Sequence, residues 1–208
     1  MVTTLLTCQL RQQGCRVAAL KPLCSGGRSD ALALHAALGG ALSLDEINPW
    51  HFRAPLAPAL AARREHRRVL PAAVLAQVNQ AQARFDVVLV EGAGGLLSPL
   101  GVGFNARDLI AKLRATPVVV VPNRLGAVNQ ALLVLAALPR AAARRAQVVL
   151  VTQSRPDASA RSNAALLAEH LGRDRVHRLP RLRNPAQAAS ARRIAAGLLR
   201  QLFPCPRP

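Results

Sequence analysis

The chain has 208 residues, 51% hydrophobic and 18% charged, with a formal net charge of +18. That length supports one well-buried core, and its short apolar runs, broken by polar residues, are not those of a membrane-spanning helix. The charge favours an anionic partner. However, aromatics make up 2% and Tyr is absent, which argues against a base-stacking nucleic-acid surface. Lys21 and Lys112 are the only lysines; the arginines are scattered, often in pairs (Arg63 and Arg64, Arg67 and Arg68, Arg144 and Arg145, Arg192 and Arg193), among Ala and Leu. Solvated, Arg-rich helix faces are the expectation, with no membrane contact. No signal peptide is visible, and Cys8, Cys15, Cys24 and Cys205 lack metal-site spacing. Free thiols in a reducing cytoplasm are expected. His35, His51, His66, His170 and His177 lack ligand or catalytic spacing as well.

In chain order, Val2, Leu5, Leu6 and Leu10 share one face of a helix that Gly14 ends. The run 16–20 reads as a strand, followed by the loop "KPLCSGG" and a helix over 30–38. The segment "NPWHFRAPLAPALAARRE" reads as an irregular, rigid connection fixed by Asn48, Pro49, Pro55 and Pro58, either a wall packed over a site or an ordinary long loop. A helix over 70–84, a strand over 86–90, a helix over 105–114 and a strand over 117–121 follow. Then come a helix over 126–138, a strand over 147–151, a helix over 161–171, a weaker strand over 176–179 and a helix over 185–202. The strand runs are β-branched and lack in/out alternation, as for strands buried on both faces of a parallel sheet. Alternation of the two periods predicts an α/β fold with a doubly wound, mostly parallel sheet in one domain, 1–203, and a Pro-rich tail, 204–208.

In such sheets ligands bind at the strand carboxyl ends. After the first strand stands Lys21, then Ser25, Gly26 and Gly27, whose amides can approach an anion. Asp30 lies in the first turn of the next helix, where a carboxylate also serves as an ordinary cap. After "DVVLV" comes "EGAGGLLSPL". Glu91 is costly at a buried strand end without a cation, and Gly92, Gly94 and Gly95 leave room for a ligand. Asp30 and Glu91 are hard oxygen ligands of the kind Mg²⁺ takes when phosphates complete its shell. After "PVVVV", Gly126 opens a helix whose free N–H groups can meet an anion, with Asn129 in its first turn.

These segments resemble the dethiobiotin synthetase family. The likeness rests on "KPLCSGG…SDALAL", "NPWHF…P…P…AA", "VVLVEGAGGLLSPL" and "PVVVVPNRLGAVNQALL", in that order. "EGAGG" alone also occurs in cobyrinate-type amidoligases, so that reading stays open. So do a catalytically impaired remnant of the fold and a basic nucleic-acid-binding relative of partition ATPases. The resemblance implies a P-loop NTPase-like fold and an ATP- and Mg²⁺-dependent ring closure. In that reaction CO₂ carboxylates 7,8-diaminopelargonate, ATP phosphorylates the carbamate, and the second amine displaces phosphate. It implies that Lys21 contacts phosphate and carbamate and that Ser25 binds the reacting end of the substrate. Asp30 and Glu91 would hold Mg²⁺, with Glu91 and Gly94 on the nucleotide side, as would be Leu179 and Pro180. Gly126 and Asn129 would bind the substrate carboxylate from a second subunit, which implies a homodimer. The family's G-x-x-x-x-G-K-[ST] loop would end immediately before Met1, so the first strand and phosphate loop are expected to be missing from this chain. Val151, Thr152 and Gln153 stand where the family has an adenine-reading Asn.

Overall fold

A computed structural model describes residues 1–181 and 185–203. The expected tail at 204–208 lies outside the described residues. The chain divides into two compact units, Met1–Leu113 and Arg114–Pro208, and all strand ladders in both are parallel.

In the first unit, helix α1 (Val2–Gln12) buries Leu6 and Leu10. Gly14, at φ +79, takes the left-handed turn after it and releases the chain into β1 (Val17–Leu20), which is buried throughout. Strand β2 (Leu23–Ser25) follows at once, then α2 (Ser29–Leu38), α3 (Leu44–Ile47) and β3 (Trp50–Phe52). The start of α3 is fixed by a capping box: the Ser43 hydroxyl accepts the Glu46 N–H, and the Glu46 carboxylate accepts the Ser43 N–H. Helices α4 (Pro58–Arg64) and α5 (Pro71–Arg84) each open on proline, whose missing N–H costs nothing in a first turn. Strand β4 (Val87–Val90) and helix α6 (Ala106–Leu113) complete the unit.

Strand β4 pairs with β1 in the register Val17↔Val87 through Leu20↔Val90. The Arg16 guanidinium grips the Asp86 carboxylate at the entry to this pair, at 2.7 Å from Nη2 to Oδ1. Strands β2 and β3 form a separate parallel pair, Leu23↔Trp50 through Ser25↔Phe52. Phe52, Val74 and Leu100 are fully buried in a core beneath it.

The second unit holds a three-stranded sheet ordered β5 (Val118–Asn123), β6 (Gln147–Thr152), β7 (Val176–Leu179). Helices α7 (Ala127–Ala137), α8 (Arg140–Arg145), α9 (Asn163–Leu171) and α10 (Pro185–Leu202) follow the strands.

Two expectations need correction. The proline-rich segment around Trp50 is not an irregular connection: Trp50–Phe52 is a strand and Pro58–Arg64 a helix. Pro49 and Pro55 flank the strand, so no ladder N–H is lost. Nor are all β-branched runs buried on both faces. Among the described residues β4 pairs with β1 alone and β5 with β6 alone, and Val90 and Val120 remain 40% and 48% exposed.

His177 in β7 is half-buried with its Nε2 2.9 Å from the Gln147 amide oxygen. Burial holds its pKa below the ordinary histidine value, and the charge of Asp174 opposes this only in part. The unfolded chain therefore takes up the proton first, so stability should fall as pH drops through the ordinary histidine range. Thermal melts between about pH 7.5 and 5.5 are expected to show a steeper decline for the native chain than for His177→Asn. Equal slopes would remove His177 as a cause.

Candidate active site

Register places the site. Because Leu20 lies opposite Val90, the next residues, Lys21 and Glu91, leave the paired strands side by side, and the Glu91 N–H donates to the Leu20 carbonyl at 2.8 Å. The Lys21 ammonium is buried and donates to Glu91 Oε1 at 2.9 Å and to Asp30 Oδ2 at 2.8 Å. Asp30 arrives from the first turn of α2. Three residues singled out from two segments, one after β1 and one after β4, thus converge on one cluster.

The charges settle how the cluster behaves. Burial alone would push the Lys21 pKa down, but the hydrogen bonds and charges of Asp30 and Glu91 together outweigh it and hold the value above that of an ordinary lysine. The hydrogen bond from Lys21 holds Asp30 below the usual carboxylate range, despite partial burial. The Lys21 ammonium thus faces two acidic side chains, with the Asp30 side chain 58% exposed. That excess of hard oxygen, open on one side, suits Mg²⁺ completed by water or phosphate. Glu91 also accepts the hydroxyl of Thr3 at 2.5 Å, which sets the positive end of the α1 dipole at the carboxylate.

The neighbouring loops are fixed by local contacts. Ser25, at the end of β2, donates its hydroxyl to the Leu56 carbonyl at 2.5 Å. Gly94 has φ +75, and a Cβ there would lie 2.8 Å from the Ser98 hydroxyl, which also accepts the Gly95 N–H. Cys24, which shares the Lys21 loop, is buried; its thiol donates to Asn48 Oδ1 and burial pushes its pKa up. That is an inert thiol rather than a nucleophile.

The other predicted residues lie in the second unit. Gly126 caps α7 at φ +85, and Gly126 and Asn129 are exposed. Leu179 is buried at the end of β7, with Pro180 after it half-buried. The loop into α7 is tied by residues the sequence reading passed over. Asn163 Nδ2 donates to Asn123 Oδ1 and to the Arg124 carbonyl, and Asp157 accepts the Leu125 N–H. Gln153 turns its amide back onto the Val151 carbonyl at 2.7 Å. In the first unit the reading also missed Thr3 and Asn48 as site neighbours. The only signal for Asn48 was its place in "NPWHF".

A parallel α/β fold with a lysine and carboxylates at strand carboxyl ends is that of the P-loop NTPase-like class. A family model described as an AAA domain matches residues 1–188. The chain is 38% identical over 192 residues to the ATP-dependent dethiobiotin synthetase BioD of Anaeromyxobacter sp. (strain Fw109-5), covering 89% of this chain and 86% of that protein. It is 41% identical over 175 residues to the protein of the same name from Anaeromyxobacter dehalogenans (strain 2CP-C), covering 82% of this chain and 78% of the relative. The chain belongs to the dethiobiotin synthetase family.

Gly26 offers a test of the loop that carries Ser25. It has φ +79, and a Cβ there would lie 2.7 Å from Pro55 Cβ and 2.8 Å from Pro55 Cα, backbone that cannot step aside. Gly26→Ala is expected to destabilise by about 2 kcal/mol or more. Gly27→Ala, whose added Cβ meets nothing within 4 Å, should stay within about 0.5 kcal/mol. Urea midpoints of the two variants would decide, and equal midpoints would contradict the packing argument.

Proposed function

We propose that this chain closes the ureido ring of dethiobiotin in biotin synthesis, using ATP, CO₂ and 7,8-diaminopelargonate. The observation that carries the reading is the Lys21 ammonium held between Asp30 and Glu91 at adjacent strand ends. One amine of the substrate adds to CO₂ to give a carbamate. The carbamate oxygen takes the terminal phosphoryl group of ATP. The second amine then attacks the carbamoyl carbon, the ring closes and inorganic phosphate leaves. Every intermediate carries negative charge, so pre-placed donors act on it without reorganising.

In this reading Lys21 donates to the carbamate and transferring phosphoryl oxygens, and Ser25 binds the reacting amines. Asp30 and Glu91 hold Mg²⁺, which when bound draws charge off the phosphate oxygens. Glu91 and Gly94 in the first unit are assigned to nucleotide binding, as are Leu179 and Pro180 in the second. Gly126 and Asn129 bind the substrate carboxylate across a homodimer, in the cytoplasm. One observation supports the homodimer. Helix α7 has no charged side chain and leaves Leu133 62% exposed, with Leu125 just before it 79% exposed. Among the described residues no helix is long and apolar enough to cross a membrane.

The assay supplies diaminopelargonate, bicarbonate and Mg-ATP. Lys21→Ala and Glu91→Ala are each expected to lower kcat by about 100-fold or more. No dethiobiotin from the native chain, or native rates in both variants, would sink the reading. For the dimer, Leu133→Arg should convert a two-subunit mass into a one-subunit mass in light scattering. A native chain that is already monomeric would refute it.

A further inference from the structure

Lys21 sits where β1 stops and Pro22 turns the chain into β2, a point with little ladder support of its own. One buried side chain closes it. Asn48, 1% exposed, donates its amide to the Lys21 carbonyl at 2.6 Å and to the Pro22 carbonyl at 3.3 Å. Its Oδ1 accepts the Cys24 thiol at 2.9 Å and Arg28 Nε at 3.2 Å. Arg28 in turn donates to the Asn48 and Leu44 carbonyls and lies immediately before α2, whose first turn holds Asp30. Backbone bonds flank the knot: Lys21 N–H to the Ile47 carbonyl and Trp50 N–H to the Pro22 carbonyl.

We infer that Asn48 is a positioning residue, fixing Lys21 from one end of its amide and the Asp30 turn from the other. Both amide ends are saturated by groups from the two segments that must meet, and no part of the side chain is spare for substrate. The inference rests on the proposed role of Lys21 for its functional consequence, but the geometry is testable without it. A carbonyl pair released from Asn48 lets the Lys21 backbone drift, and displacement on the scale of an ångström costs about 100-fold in rate. Asparagine suits the task because its amide both donates and accepts.

The chain contains two lysines, Lys21 and Lys112, so carbon-13 labelling at lysine Cε gives two signals at fixed neutral pH, assigned with Lys112→Arg. Asn48→Ala is expected to move the Lys21 signal and speed exchange of its ammonium protons while the Lys112 signal stays put. Asn48→Ser, which keeps a polar group too short to span both carbonyls, should do the same if the Ala variant does not melt cooperatively. In the ring-closure assay kcat should fall about 10- to 100-fold, with KM for ATP and diaminopelargonate within about threefold. An unmoved Lys21 signal in a cooperatively melting variant would overturn the positioning role, whatever the rate. A moved signal with native kcat in that variant would overturn its functional consequence. Separately, native rates in Lys21→Ala would count against the proposed function and leave the positioning role standing.

Discussion

A buried ammonium at the end of a strand has to be neutralised where it stands. Lys21 is 7% exposed, and a charge so placed without partners would lose its proton or unfold its surroundings. The in-register pairing of β1 with β4 delivers Glu91 beside it, and α2 delivers Asp30. Two carboxylates around one lysine overcompensate, and on the proposed reading that excess would leave room for a further cation. In a buried pair the removal of one partner costs more than the pair contributes. The strand ends, the first turn of α2 and the Thr3 contact therefore stand or fall together.

Part of the positive charge serves backbone chemistry. Arg11 donates to the Ala37 carbonyl, Arg28 to Leu44 and Asn48, Arg67 to His51, Arg145 to Arg114, and Arg175 to Ala143 and Ala146. Several of these carbonyls close helices, where the last turn leaves acceptors unfilled. Arginine reaches them well, being weakly hydrated and carrying several donors in a fixed fork. The expectation of solvated helix faces is thus incomplete. Part of the Arg content staples loop and helix ends, which weakens net charge as an argument for a nucleic-acid ligand.

Long signals were legible and short ones were not. The strand runs located β1, β4, β5, β6 and β7 to within a residue or two, most plainly in β4, β5 and β6, where a valine-rich run has few other uses. Strand β5 extends beyond its run through Pro122 and Asn123, which an edge strand tolerates because one side needs no N–H. Strands β2 and β3, three residues each, are too short to show a period, and "WHF" between prolines reads as a break. The site divides the same way. Lys21, Glu91 and Asp30 were singled out because strand carboxyl ends are where α/β sheets bind ligands. Thr3 and Asn48 were not, since their partners lie 88 and 27 residues away in sequence and their types are common in helices and turns.

The alternation of β2 ties this geometry to the chemistry proposed for it. Successive side chains on a strand face opposite ways, so Cys24 turns inward to Asn48 and Ser25 turns the other way. Ser25 spends its one proton on the Leu56 carbonyl at 2.5 Å. A hydroxyl so committed can only accept from anything further. On the proposed reading the groups arriving there are the amines of diaminopelargonate, which are donors, while the anions formed from them fall to the donor Lys21. On that reading a serine fixed as acceptor and a lysine fixed as donor, four residues apart in sequence, would divide the substrate's two charge states between them. A free serine could serve either state and would distinguish neither; the Leu56 carbonyl is what gives it a direction.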